Sequence, residues 1–80
     1  MVNLKFGPIE YYGPDREDLE VRVYEILPDG TEYHIGELYR PYDSPDWETS
    51  ALILSSGEYL AADAGFNGSL EDIREQLQRQ

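Results

Sequence analysis

Eighty residues that carry seventeen Asp and Glu against six Lys and Arg, a formal net charge of −11, must close a small core against their own repulsion. A chain of this length buries about 60% of the surface that its unfolded form exposes, so the core is thin. A net charge of about 2 to 8 in magnitude already keeps a small domain soluble. The excess here costs stability and suggests a cationic partner. Apolar residues make up 40% of the chain and ten residues are aromatic, too many for an acidic disordered tail. One folded domain over residues 1–80 is expected.

The chain has no Cys, which excludes a disulfide framework and a thiolate metal site and suits a reducing compartment. The start, Met1 to Phe6, lacks an apolar run of signal-peptide length, and nowhere do 18 apolar residues follow one another. The expectation is a cytoplasmic protein whose charge repels anionic lipid, with no membrane partner.

Hydrophobic periodicity predicts mostly strands. Val2, Leu4 and Phe6 alternate with Asn3 and Lys5, and Gly7-Pro8 ends that run. Residues 10 to 18 have loop composition. Leu19, Val21 and Val23 alternate with Glu20 and Arg22; the apolar phase then slips to Tyr24 and Ile26, as a bulge or a strand buried on both faces requires. Pro28-Asp29-Gly30 reads as a short hairpin loop into a third strand over residues 31 to 39, where Gly36 marks a bulge. Ser44-Pro45-Asp46-Trp47-Glu48 has the cap, proline and acids of one helical turn.

Ala51 to Leu54 and Glu58 to Ala61 face each other across Ser56-Gly57 as a second hairpin. Gly65, Asn67 and Gly68 break the chain before Ser69, an N-cap for a helix whose stripe is Leu70, Ile73 and Leu77. The fold class is α+β: an antiparallel sheet of four to five strands with one C-terminal helix packed on one face.

Little in the chain resembles catalytic machinery. His34 is the one ordinary proton-transfer group near neutrality, and no partner is fixed for it by spacing; its simpler reading is a surface strand residue. Ser55-Ser56-Gly57 lacks the glycines of a strained nucleophile turn, and neither a phosphate-cradling Gly-Lys-Ser/Thr nor a dinucleotide-binding glycine triplet occurs. Asp15 with Glu17 could do acid and base work, but so small a domain has little room for the cleft. Counted as a calcium loop from Asp63, the window places Asn67 fifth and Gly68 sixth, but has Gly65 third and Arg74 twelfth. Two ligands are missing, and helix capping accounts for Asn67, Gly68, Ser69 and Asp72. No catalytic residue, cofactor or metal is expected.

The carboxylates fall in two groups, Asp15, Glu17, Asp18 and Glu20, then Asp43, Asp46 and Glu48. Residues two apart on a strand lie about 6.6 Å from each other on one face, a separation on the order of that between phosphates along a nucleic acid strand. Carboxylates so placed can stand in for phosphates on a Lys- and Arg-rich surface. The simpler reading is a solvated face or an adaptation to high salt. Seven Tyr and Trp47 weigh the other way, since Tyr and Trp are favoured interface anchors. Tyr11 and Tyr12 precede the first group; Tyr39, Tyr42 and Trp47 run through the second. Tyr24, Tyr33 and Tyr59 are expected to cover sheet edges and the bottom of the core.

In size, charge, absence of Cys and the segments Glu10-Tyr11-Tyr12 and Tyr42-Asp43-Ser44-Pro45-Asp46-Trp47-Glu48, the chain resembles small acidic inhibitors of phages and mobile elements, of the anti-CRISPR and DNA-mimic anti-restriction kinds. The resemblance is one of general character, with no shared motif and no residue to carry over. It implies a stoichiometric inhibitor without catalysis. The partner expected is a basic protein surface, that of a nucleic-acid-binding protein or complex, and not nucleic acid itself, which an anionic surface repels. The candidate contact residues are Tyr11, Tyr12, Asp15, Glu17, Asp18, Glu20, Tyr42, Asp43, Asp46, Trp47 and Glu48. The alternative is an accessory or regulatory domain of a larger assembly that pairs through aromatics and strand edges.

Overall fold

The computed structural model describes residues 2–11 and 18–80. Strands β1 (Leu4–Phe6), β2 (Glu10–Tyr11), β3 (Leu19–Ile26), β4 (Glu32–Arg40), β5 (Trp47–Thr49), β6 (Leu52–Ile53), β7 (Tyr59–Ala61) and β8 (Asn67–Gly68) precede one helix, α1 (Leu70–Gln78). The main sheet is antiparallel. β1 and β2 share one edge against β3, followed by β4, β5 and β8. β6 and β7 pair separately as a two-stranded hairpin. The architecture is the expected α+β one, with the helix packed on one face of the sheet.

β3 and β4 form the spine, because alternating side chains place Val21 and Val23 of β3 on the same face as Leu38 of β4. Their turn closes as the punctuation at Pro28-Asp29-Gly30 requires: Gly30 N–H donates to Leu27 O at 2.8 Å, and Gly30 takes φ 88°. The phase slip after Val23 is a bulge in the opposite strand. Val23 faces Gly36 and Tyr24 faces His34, which leaves Ile35 as the extra residue. Ile35 is buried, so the bulge gives the core an additional side chain.

At Gly36 the main sheet meets the hairpin. A Cβ there would lie 2.6 Å from Leu52 Cδ2 and 2.8 Å from Ala51 O and Ser50 Oγ, and the residue has φ 152°. Only glycine lets the chain cross so closely as it leaves β5 for β6. Ser50 secures the crossing, since its N–H donates to Glu37 O at 2.9 Å and its Oγ accepts from Glu37 N–H at 2.9 Å.

The C-terminal part behaves as its pattern predicts. Ser69 caps α1 by accepting from Asp72 N–H at 3.2 Å, and Ile73 and Leu77 are fully buried against the sheet. The Arg74 guanidinium carbon stands 5.5 Å from the centre of the Phe6 ring, so α1 also reaches back to β1. The β6–β7 hairpin forms where expected, with Leu54 N–H donating to Glu58 O and Gly57 at φ 91°.

Three local expectations are corrected. Residues 44–50 contain no helical turn: Ser44 Oγ accepts from Asp46 N–H two residues on, and the chain continues into β5. The inward alternation of Trp47 and Thr49 decides this, since both are buried when the segment pairs with β4. Within the 10–18 segment, Glu10 and Tyr11 pair with β3 instead of looping. Asn67 and Gly68, expected only as a break, pair with β5.

Thr49 joins these pieces. It is fully buried, and its Oγ1 donates to Ala62 O at 3.1 Å and accepts from Phe66 N–H at 3.4 Å, while its own O accepts from Ala64 N–H at 2.7 Å. Thr49→Val keeps the shape and leaves the Ala62 carbonyl and Phe66 amide short of their partner. We expect it to lower stability by about 1–3 kcal/mol, measured as a shift of the urea midpoint at unchanged slope.

Candidate protein-binding face

Strand alternation gives the sheet two unlike faces. Val21, Leu38 and Thr49 are in register across β3, β4 and β5 and point into the core. Their neighbours one residue on therefore point the other way. Those neighbours form a continuous cross-strand row: Glu10 opposite Glu20, Glu20 opposite Tyr39, Tyr39 opposite Glu48, and Glu48 opposite Asn67. The next row holds Arg22 opposite Glu37, and beyond the bulge come Lys5, Tyr24 and His34. Among the described residues the hairpin and helix supply core residues on the other side, so the carboxylate row lies on the face turned away from them.

Charges on this face are arranged unevenly. Arg22 Nε stands 4.0 Å from Glu20 Oε1, and its guanidinium is held above its ordinary pKa by the Tyr24 hydroxyl first and then by the Glu10 and Glu20 carboxylates. His34 Nε2 lies 2.8 Å from Glu37 Oε2, and Lys5 Nζ 2.9 Å from Glu32 Oε2. Glu48 and Asp63 flank Tyr39, and burial foremost, then these two acids, raise the phenol above its usual pKa. Glu10 directly opposite Glu20 places like charges on paired strands, an arrangement that costs stability.

Asp18 and Glu20, the described members of the first acidic group, lie close to the second. Asp18 Oδ1 accepts from Tyr42 N–H at 2.8 Å, which ties the end of the first group to the start of the second. Glu20 and Glu48 flank Tyr39 from either side. Asp43 and Asp46 are exposed on the turn after β4, where Ser44 N–H donates to Pro41 O at 3.1 Å. Tyr11 and Tyr42 are 73% and 65% exposed and available to a partner. Tyr12, Asp15 and Glu17 lie outside the described residues.

Trp47 is corrected as an anchor. It is 7% exposed and belongs to the core, because the same alternation that turns Glu48 outward turns Trp47 inward. Tyr33 and Tyr59, expected to cover edges and core, are instead 45% and 67% exposed. His34 is exposed on its strand, as its simpler reading has it.

Sequence reasoning missed Glu37, Pro41 and Ser50, and named Tyr39 only among the aromatics of the second acidic group. With Asp18 and Glu20 they line an open groove of about 360 Å³ on this face. The signal was present: once Gly36 is taken as a bulge, Leu38 must point inward and Glu37 and Tyr39 outward. Among the described residues no group of three or more His, Asp or Glu side chains is placed to hold a metal ion. No described helix is long and apolar enough to cross a membrane. No family model, curated protein or solved structure matches the chain.

Proposed function

We propose that this protein is a stoichiometric, non-catalytic inhibitor that lays its outer sheet face on a basic nucleic-acid-binding surface of a partner protein or complex, in the manner of anti-CRISPR or DNA-mimic proteins. The observation that carries the reading is the row Glu10, Glu20, Tyr39, Glu48 across neighbouring strands. Adjacent strands are spaced by about 4.8 Å, so the row holds its acids in a rigid array rather than on flexible chains. Keeping like charges opposite one another lowers stability, which Arg22 relieves only in part at 4.0 Å from Glu20, and a local rule broken in this way is expected where a surface serves binding.

Catalysis has little support on this face. His34, paired with Glu37, is not among the residues that line the groove. The test is capture from the native host lysate on immobilised protein. Nucleic-acid-binding proteins are expected to be retained at about 50 mM salt, released steeply by about 200 mM, and displaced by added DNA or RNA. Retention that survives high salt and ignores nucleic acid would overturn the proposal.

One observation favours the alternative of an accessory interaction domain. Ile53 and Tyr59 are directly paired in the β6–β7 hairpin and are 39% and 67% exposed, an apolar pair that could dock on a larger assembly. Binding through that pair would change little with salt.

A further inference from the structure

Among the described residues the hairpin and helix pack on the inner side of the sheet, and the groove on the outer face differs in chemistry from the acids around it. It is lined by Tyr39, Pro41 and Ser50 together with the acids Asp18, Glu20 and Glu37. Glu20 lies opposite Tyr39 and Glu37 lies two residues before it on β4, so the two carboxylates are diagonal cross-strand neighbours that both adjoin Tyr39. Such neighbours are separated by about 7–8 Å, within reach of a single planar group set between them.

We propose that this groove is a socket for one arginine side chain of the partner. The inference rests on the outer face being the binding face and adds which partner group it selects. A tyrosine and a proline in the lining suit an aliphatic stem and the flat face of a guanidinium, and two neighbouring carboxylates meet its forked N–H donors. An ammonium is a compact, strongly hydrated point charge that gains less from a ring and cannot bridge two acids in one plane. Among the described residues Arg22 lies opposite Glu37 but reaches Glu20 only at 4.0 Å, and its side chain is 55% exposed. His34 Nε2 pairs with a single oxygen of Glu37, Oε2, at 2.8 Å.

The experiment compares hexa-arginine with hexa-lysine by calorimetric titration into the full chain at one fixed ionic strength, with amide shifts followed on labelled protein. Hexa-arginine is expected to bind about tenfold more tightly, with shifts concentrated at Glu37, Tyr39 and Ser50. Tyr39→Leu should bring the two affinities to within about twofold by weakening the arginine peptide alone. Glu37→Gln, at a partly exposed site where folding is not at stake, should narrow the preference in the same direction. Glu48→Gln, outside the groove, should weaken both peptides alike. Equal affinities for the unsubstituted protein, shifts centred on Asp43, Asp46 and α1, or a preference that persists in Tyr39→Leu overturn the socket and leave the acidic-face reading standing. Failure of both peptides to bind overturns both.

Discussion

Gly36→Ala is expected to destabilise the protein by about 3–5 kcal/mol, the sum of a backbone conformation that side chains rarely adopt and an overpacked contact. The added methyl would sit 2.6 Å from Leu52 Cδ2 and 2.8 Å from the Ala51 carbonyl oxygen, and the latter is backbone that cannot swing aside. A domain of this size has about 5 kcal/mol or a little more to lose, so a large share of the molecules should be unfolded at 25 °C. Gly30→Ala supplies the comparison. Its φ of 88° is as unfavourable for alanine, but nothing lies within 4 Å of the added carbon, so only the strain of about 1–2 kcal/mol remains. Urea denaturation of the two variants separates the terms. If Gly36→Ala unfolds at nearly the same urea concentration as Gly30→Ala, the bulge is not the crossing point described above.

Reversing Glu20 and Glu48 together to Lys should weaken partner binding by about a hundredfold or more and flatten its dependence on salt, because two attractions become repulsions at the centre of the row. Stability should hold or rise, since Glu10 then faces a cation instead of Glu20. The control carries the same change of charge elsewhere. Glu58 on the β6–β7 hairpin and Glu71 on α1 are exposed and away from the outer face, and reversing both should change affinity by no more than about threefold. Equal losses in the two double variants would mean that total charge, not the array, governs association. Binding constants against the captured partner at two salt concentrations decide between these outcomes.

Much of the fold was legible because turn residues and period-two alternation agree over long stretches. β3, the 28–30 turn, β4, the second hairpin and the Ser69 cap all follow from local pattern, and of the two readings of the slip at Tyr24, a bulge or a strand buried on both faces, the register shows the bulge, placed in the opposite strand. The failures share a cause. Glu10–Tyr11, Trp47–Thr49 and Asn67–Gly68 are strands of two or three residues, too short to show a period, and they form because a longer strand offers them partners. The serine, proline and acids before Trp47 serve a turn as well as a helix start, and only the burial of Trp47 and Thr49 separates the two. The site was half legible. Composition pointed to Asp18, Glu20, Tyr42 and Glu48, but which acids share a face depends on strand register, and register across β2, β3, β4 and β5 is a tertiary property.

The clasp of Arg74 over Phe6 joins residues almost at opposite limits of the chain, and β5 with β8 likewise unites segments separated by the whole hairpin. Loops that long must close before those contacts reward it, so assembly is slow and all-or-none for a protein this small, on the order of milliseconds to seconds. Ile73 and Leu77 of the last helix share one core with β3, β4 and β5, so the sheet that sets the carboxylates in register is expected to melt together with that helix, in a single transition.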